Sequence, residues 1–444
     1  MEDLEFYKDF LSFEKEQGMF DLQDNKGTYI WDIIRFDIYI NLMWNFEAKA
    51  PKKRTLGDRL GLMKKQLSAL TKFMLPGKQR DNFFFLASRN KRNDTLFDQN
   101  AIDVIRFFNA EDCFLFESFL STRDKPLLKR SIYNTAQELH RRIHRSSSGF
   151  DYQQVVNRLN KKFGKCPLSA QRLELLVNNY YSDLAFFSLT FSRLKVQRVF
   201  LTQNGIQKGL IEAAKRLNIK VYEFQHGIVD PAHIAYNYPV QEYRDTQVHV
   251  PDIIFSLSKF WFKNSFLPGV QVFPLGNNYF SQPILPLEME IEAITIVSAD
   301  VFGLALLDFA LSCLTAGLLT ERKIYFKLHP NQFVEKEFYE TKFMAYPQVQ
   351  VISNECGIGE LLNKTQTVLT IQSTAVYEAL QGGRKVILLK ESTYKRHQDV
   401  FSNENIFLVK TLGEFKHAME SEIKKTEDIE FFSTFNVDIL KEQL

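Results

Sequence analysis

The chain is poor in the residues that build special-purpose sites. Among 444 residues there are four cysteines, Cys113, Cys166, Cys313 and Cys356, far apart and without a CxxC pair. That argues against a disulfide framework or a zinc cluster and fits a reducing compartment. No GxGxxG, Walker loop or GxSxG occurs, which points away from a dehydrogenase, an NTPase or a serine hydrolase. No DxD-type acidic pair ends a predicted strand, and the spacing of His226 and His233 does not suit a metal pair on a helix. No tightly bound metal or other cofactor is therefore expected. The start, "MEDLEFYKDF", is acidic and has no apolar centre, unlike a signal peptide. No run approaches the roughly 20 apolar residues of a membrane span. A net charge of only +3 implies no general attraction for nucleic acid. A cytoplasmic protein is expected.

What is present is the material of a soluble globular chain, 45% hydrophobic and 25% charged. The length exceeds what one compact core normally holds and suggests two domains. Forty-one phenylalanines at irregular spacing are read as core filling. Charge is uneven. From Pro51 to Arg80 nine lysines and arginines face one acid, Asp58, with leucines and methionines between them at roughly helical spacing. Such a helix either lies on an anionic membrane surface or is a solvated face packed on a core. Lys129 to Arg145 is a second basic cluster that could add to it.

The first eighty residues read as helical. Strand-like runs follow at "NFFFLAS", "CFLFES", "RVFLTQ" and "KVYEFQ", separated by helical patterns such as Ile206 to Ile219. This βαβ alternation implies a parallel sheet covered on both faces. The polar stretch Asn237 to Pro251 marks a boundary, after which alternation restarts, its last six runs forming a series from "AITIVSA" to "IFLVKT". The predicted fold is α/β. A helical extension (1–80) precedes a Rossmann-like acceptor domain (81–245) and a Rossmann-like donor domain (246–444), the two facing a cleft. Ligands in such sheets bind beyond the carboxyl ends of the strands.

Three strand ends carry polar groups. In "YFKLHPNQF" a strand runs into His329-Pro330, with Lys327 as a second cation for a phosphate. In "TVLTIQSTAVYEALQGGRKVILL" a strand ends at Ser373-Thr374, a helix N-cap whose hydroxyls and N–H groups suit phosphate, and Glu378 one turn on suits ribose hydroxyls. The third is "FLTQNGIQKGLIEAAKRLNIKVYEFQHGI". Here Asn204-Gly205 opens a helix and the next strand ends at Glu223, Gln225, His226 and Gly227, with His233 and Tyr236 in the following loop. Each has an ordinary structural explanation as a cap, a turn or a packed loop residue. Taken together, two polar strand ends beside glycine shift the balance towards a site, with His226 as general base.

Together these residues resemble bacterial surface-polysaccharide transferases of the GT-B type, those making capsule, lipopolysaccharide (including O-antigen) or teichoic-acid chains. The likeness rests on His329-Pro330, on Ser373-Thr374 with "VYEAL", and on Asn204-Gly205, Ala213-Ala214 and Glu223 to Gly227, and spans roughly Phe200 to Leu389. The resemblance implies that His329, Ser373 and Thr374 hold the phosphates of a nucleotide-activated donor. It makes His226 the base towards an acceptor hydroxyl, as in polyol-phosphate transferases. Gln225-His226-Gly227 stands where sialyltransferase-like relatives carry an acidic pair, and no E-x7-E pattern is evident. An inverting, metal-independent transfer to a lipid-linked or growing glycan at the inner membrane face is the expectation, with Lys327, His329 and Arg384 around the leaving phosphates. A nucleotide-sugar epimerase, which normally places several acids in the cleft, and a non-catalytic scaffold of the same fold are the alternatives.

Overall fold

The computed structural model of the protein describes residues 3–44, 78–86, 90–92, 95–117, 125–126, 133–144, 147–244, 246–282, 293–299, 301–424 and 429–444. Two six-stranded sheets dominate it. The strands of the first are β1 (Asn82–Leu86), β2 (Cys113–Glu117), β3 (Arg198–Leu201), β4 (Lys220–Phe224), β5 (Ile253–Phe255) and β6 (Gln271–Phe273), in the order β2-β1-β3-β4-β5-β6. The second holds β7 (Ile294–Val297), β8 (Ile324–Lys327), β9 (Val349–Ile352), β10 (Thr367–Thr370), β11 (Lys385–Leu389) and β12 (Ile406–Val409), in the order β9-β8-β7-β10-β11-β12. Every neighbouring pair in both is parallel. These are two Rossmann-like lobes in a GT-B-like arrangement, as the alternation predicts.

The phenylalanines do more than fill space. β1 reads Asn-Phe-Phe-Phe-Leu and is buried throughout, as a strand covered on both faces must be. Parallel register then stacks like on like. On one face Phe84 lies 4.6 Å from Phe200, which lies 4.9 Å from Tyr222. On the other, Phe83 meets Phe114 at 5.4 Å and Phe85 meets Phe116 at 5.2 Å. The long helix Ala170–Leu194 covers this second face through Phe187 and Phe191.

The pairing moves the boundary between the lobes. β5 and β6 follow the polar stretch and yet pair with β4 and each other, so the first sheet extends past Pro251 rather than ending at 245. A local break in hydrophobicity marks a long loop here. Which sheet the next strand joins is decided by long-range pairing. The N-terminal helices Asp3–Glu16 and Trp31–Trp44 are built into the same lobe, with Phe10, Trp31, Ile34 and Ile38 fully buried in one core with Phe83 and Phe187. Most of the basic segment 51–80 lies outside the described residues. Part of the second basic cluster faces inward, where Arg141 pairs with Asp183 and His140 Nδ1 lies 2.8 Å from Ser182 Oγ. Among the described residues no helix is long and apolar enough to cross a membrane.

The chain ends back on the first lobe. Leu440, in helix Val437–Gln443, is buried beside Phe200 and Tyr222, and Tyr222 donates to the Gln443 carbonyl at 2.8 Å. On the way, the Phe431 and Phe432 amides donate to Gln381 Oε1 at 2.9 and 2.8 Å, and Ser433 N donates to Leu257 O at 2.9 Å. Gly276 is required where this return passes: its φ is +74°, and a Cβ there would lie 2.1 Å from Thr434 O.

Candidate active site

The carboxyl edge of the first sheet gathers its polar groups around one carboxylate. Glu223, the penultimate residue of β4, is fully buried. Asn204, in the turn after β3, donates to it from Nδ2 at 2.7 Å and from the backbone N at 3.3 Å. The Tyr236 hydroxyl donates to Oε1, the oxygen that the Asn204 backbone N–H also reaches, at 2.6 Å. Burial pushes the Glu223 carboxyl up to about 7, against the pull of the Tyr236 and Asn204 hydrogen bonds and the charge of Lys208. At neutral pH this acid is poised between its two forms.

The same Tyr236 oxygen lies 3.4 Å from His226 Nδ1. When Glu223 is ionised it accepts the Tyr236 O–H, the Tyr236 oxygen is then an acceptor towards His226, and the His226 tautomer protonated on Nδ1 is favoured. Nε2 is then the basic nitrogen. His226 is half-buried, and a side chain at Gly227 would meet nothing within 4 Å, so the stretch borders open space. A histidine oriented by a hydroxyl that is itself held by a carboxylate has the arrangement of an oriented general base. His233 packs on the Tyr236 ring at 4.6 Å, and enclosure pushes its pKa down to about 3, so it stays neutral.

Two cleft residues named from the sequence have structural duties instead. Gln225 is buried, with Nε2 donating to Gly227 O and Oε1 accepting from Leu257 N, both at 2.9 Å, so it clips the end of β4 to β5. At Gly205 a Cβ would come within 2.8 Å of the Phe36 ring, so this glycine admits the N-terminal helix rather than a ligand. The helix it was expected to open begins at Lys208.

In the second sheet the strand order reverses between β7 and β10, the switch point where ligands enter such sheets. His329 and Ser373 follow β8 and β10, on either side of β7, which puts these strand ends two spacings or roughly 10 Å apart. His329 caps the short 3₁₀ helix Pro330–Glu335. Its Nδ1 accepts from Asn331 N at 3.3 Å, which leaves the proton on Nε2 as a donor. Gln332 secures this loop, accepting from His329 N at 3.0 Å and donating to Ala299 O at 3.3 Å. Ser373 Oγ accepts from Ala375 N at 3.2 Å at the start of helix Ala375–Gln381, whereas Thr374 makes no side-chain cap. Half-buried Glu378 lies in the first turn of that helix, its enclosed carboxyl pushed up to about 7.

The two remaining cations are engaged elsewhere. Lys327 donates to the carbonyls of Ser353 and Cys356, bracing that turn, and burial lowers its pKa. Arg384 precedes β11, at the opposite edge of the sheet from the carboxyl ends, and donates to Leu362 O at 2.9 Å. It is thereby removed from the phosphate set. Sequence reading missed Ser298, whose buried Oγ at the end of β7 has no hydrogen-bond partner. The only signal was its position after "AITIV". It also missed the ion pair across the lobes, Arg396 to Asp230 at 3.8 Å. The lobes meet in one apolar cluster that joins Val229 and Tyr236 to Val297, Val376 and Tyr377. The histidine loop and the Ser373 helix thus belong to the same junction.

No protein-family model and no curated protein matches the chain. Solved structures similar to it include UDP-GlcNAc 2-epimerase from Methanocaldococcus jannaschii in complex with UDP-GlcNAc and UDP. That match has 12% identity and a TM-score of 0.47, over 81% of this chain and 99% of that one. MurG from Acinetobacter baumannii aligns at 11% identity and a TM-score of 0.43, over 76% of this chain and 89% of that one. A UDP-N-acetylglucosamine 2-epimerase from Rickettsia bellii aligns at 13% and 0.43, over 79% and 90%. At these identities and scores the likeness carries no argument about activity.

Proposed function

We propose that the protein is a nucleotide-sugar-dependent glycosyltransferase, or a polyol-phosphate transferase, that inverts the transferred centre without a metal. Its acceptor would be a surface glycan, lipid-linked or growing, met from the cytoplasm at the inner face of the membrane. The carrying observation is the chain Glu223–Tyr236–His226 at the strand ends of one lobe, in a junction shared with the Ser373 helix of the other. His226 Nε2 would take the proton of the acceptor hydroxyl as its oxygen attacks the donor carbon (or phosphorus). Glu223, through Tyr236, would stabilise the imidazolium formed. The donor phosphate leaves as an anion, with His329 Nε2–H and the Ser373-Thr374 turn as hydrogen-bond donors, and Glu378 accepts from ribose hydroxyls. Membrane contact through Pro51–Arg80 belongs to the same proposal, as does metal independence. Vesicle co-sedimentation tests the first, and undiminished turnover in EDTA the second.

A specific observation also favours nucleotide-sugar epimerisation. Each lobe places one enclosed carboxyl at a strand end, Glu223 on β4 and Glu378 in the first turn of the helix after β10. Burial raises both, as suits acids that give and retake a proton. The deciding experiment is a thermal-shift screen with CMP, CDP, UDP and GDP, followed by assay of the matching sugar donors with and without glycan acceptors. A bound nucleotide raises the melting temperature by mass action, so one should stand out. Product formed only with acceptor supports transfer, and product from the donor alone supports epimerisation. No shift with any nucleotide and no product would leave a non-catalytic binding protein.

A further inference from the structure

The N-terminal helices reach the histidine loop through a single buried guanidinium. Arg35, in helix Trp31–Trp44, is 2% exposed. Its Nη1 donates to Ile234 O at 2.9 Å and its Nη2 to Asn237 O at 3.2 Å. Those two carbonyls bracket Ala235 and Tyr236. On the other side, Glu14 grips the same guanidinium with both oxygens, at 2.7 Å to Nε and 2.8 Å to Nη2, and Trp31 Nε1 fixes the Glu14 carboxylate at 2.7 Å. One helix turn on, Tyr39 donates to Ala232 O at 3.1 Å.

We infer that Arg35 is a positioning residue: braced by Glu14, it holds the turn that carries Tyr236, and so sets the Tyr236 hydroxyl between Glu223 and His226. The inference rests on the proposed role of His226 as base. Burial keeps Arg35 from any substrate, so it acts only through geometry. Its planar fork meets a carboxylate on one side and two divergent carbonyls on the other, a set of directions that the ammonium of lysine cannot match at once. A small displacement of the turn would lengthen the 2.6 Å bond to Glu223 and lose the 3.4 Å contact to His226. His226 would then no longer be confined to one tautomer.

The test is nitrogen NMR of the full-length protein labelled on histidine, with the His226 signals assigned through His226→Gln. In the wild type, at a pH above the Glu223 pKa so that this carboxyl is ionised, His226 should be a single tautomer with the proton on Nδ1. Tyr236→Phe and Arg35→Lys should each give a mixed population. With the donor found in the nucleotide screen, Arg35→Lys should also lower kcat at least tenfold while leaving nucleotide Kd within twofold, a split that general loosening would not produce. Should Arg35→Lys fail to fold, the double variant Glu14→Gln/Arg35→Met leaves no lone buried charge and carries the same prediction. An unchanged His226 tautomer in either the tyrosine or the arginine variant overturns the brace. If the tautomer responds but no donor is ever turned over, the brace stands and the transferase reading falls.

Discussion

The two lobes share a parallel six-stranded plan and fill it with different material. The first sheet is laced with aromatic rings aligned from strand to strand, Phe84, Phe200 and Tyr222 on one face and Phe83, Phe85, Phe114 and Phe116 on the other. The second is built mainly from aliphatic side chains, as in Lys-Val-Ile-Leu-Leu and Thr-Val-Leu-Thr, both fully buried. The contrast extends to the strand ends. On the first lobe a carboxylate, a tyrosine and a histidine form one connected chain. On the second, His329 and Ser373 each cap a turn of their own. In the proposed reaction the first of these walls would manage the proton and the second would receive the anion.

That division can be broken by experiment. The largest effect is expected at His226. His226→Ala should lower turnover by about 10²–10⁴-fold with nucleotide affinity unchanged, measured by steady-state kinetics and calorimetry. Equal loss of nucleotide binding would place the histidine on the anion side instead. Next comes the aromatic ladder. Phe200→Ala, in the middle of the first sheet, should cost about 3–5 kcal/mol in urea unfolding, because a ring stacked on both neighbours leaves a cavity that a close-packed sheet cannot close. Ile296→Val in β7 should cost only about 0.5–1.5 kcal/mol. A loss at Phe200 as small as that at Ile296 would show that the ring's site closes up when it is removed.

A third test uses pH. Glu223 and Glu378 are raised from 4.5 to about 7, so each binds a proton more tightly when folded and removes stability as pH rises through that window. His233 and His397, lowered from 6.5 to about 3, act in the opposite sense and add stability as pH rises to 6.5. Glu378→Gln should uncover the imbalance. Its stability relative to the wild type should grow by about 1–3 kcal/mol from pH 4.5 to 7, and a constant difference would show the carboxyl to be well solvated. The smallest effect is expected at His329. His329→Ala should mainly weaken nucleotide binding, by about 3- to 10-fold, the worth of one hydrogen bond.

Much of this plan was legible in the sequence. The six runs from "AITIVSA" to "IFLVKT" are the six strands of the second sheet. Its inner strands, buried on both faces, read as continuous apolar runs, and the half-buried edge strands β9 and β12 keep enough of that pattern to be seen. The first lobe was harder to read. Among the described residues its sheet is interrupted by three helices between β2 and β3 and by a long polar loop before β5, and no local pattern says which strand a later one will join. At the site, the residue types at the ends of β4, β8 and β10 were visible, but their partners were not. That Gln225 faces β5, that Gly205 faces Phe36 and that Arg384 lies at the wrong edge are facts of tertiary contact. The link from Glu14 through Arg35 to Ile234 joins residues 220 positions apart and leaves no local trace.

The passage over Gly276 has a consequence for how the lobes are held. The chain leaves the first lobe once and returns to it once, so the second lobe is strung between two covalent threads. A single cut in either thread would leave the halves joined. Where the returning thread crosses, main chain touches main chain, and a methyl group at position 276 would be enough to push it aside. The place where the chain comes back to the first lobe is thereby fixed by main chain against main chain, so surface side chains nearby can drift without moving it.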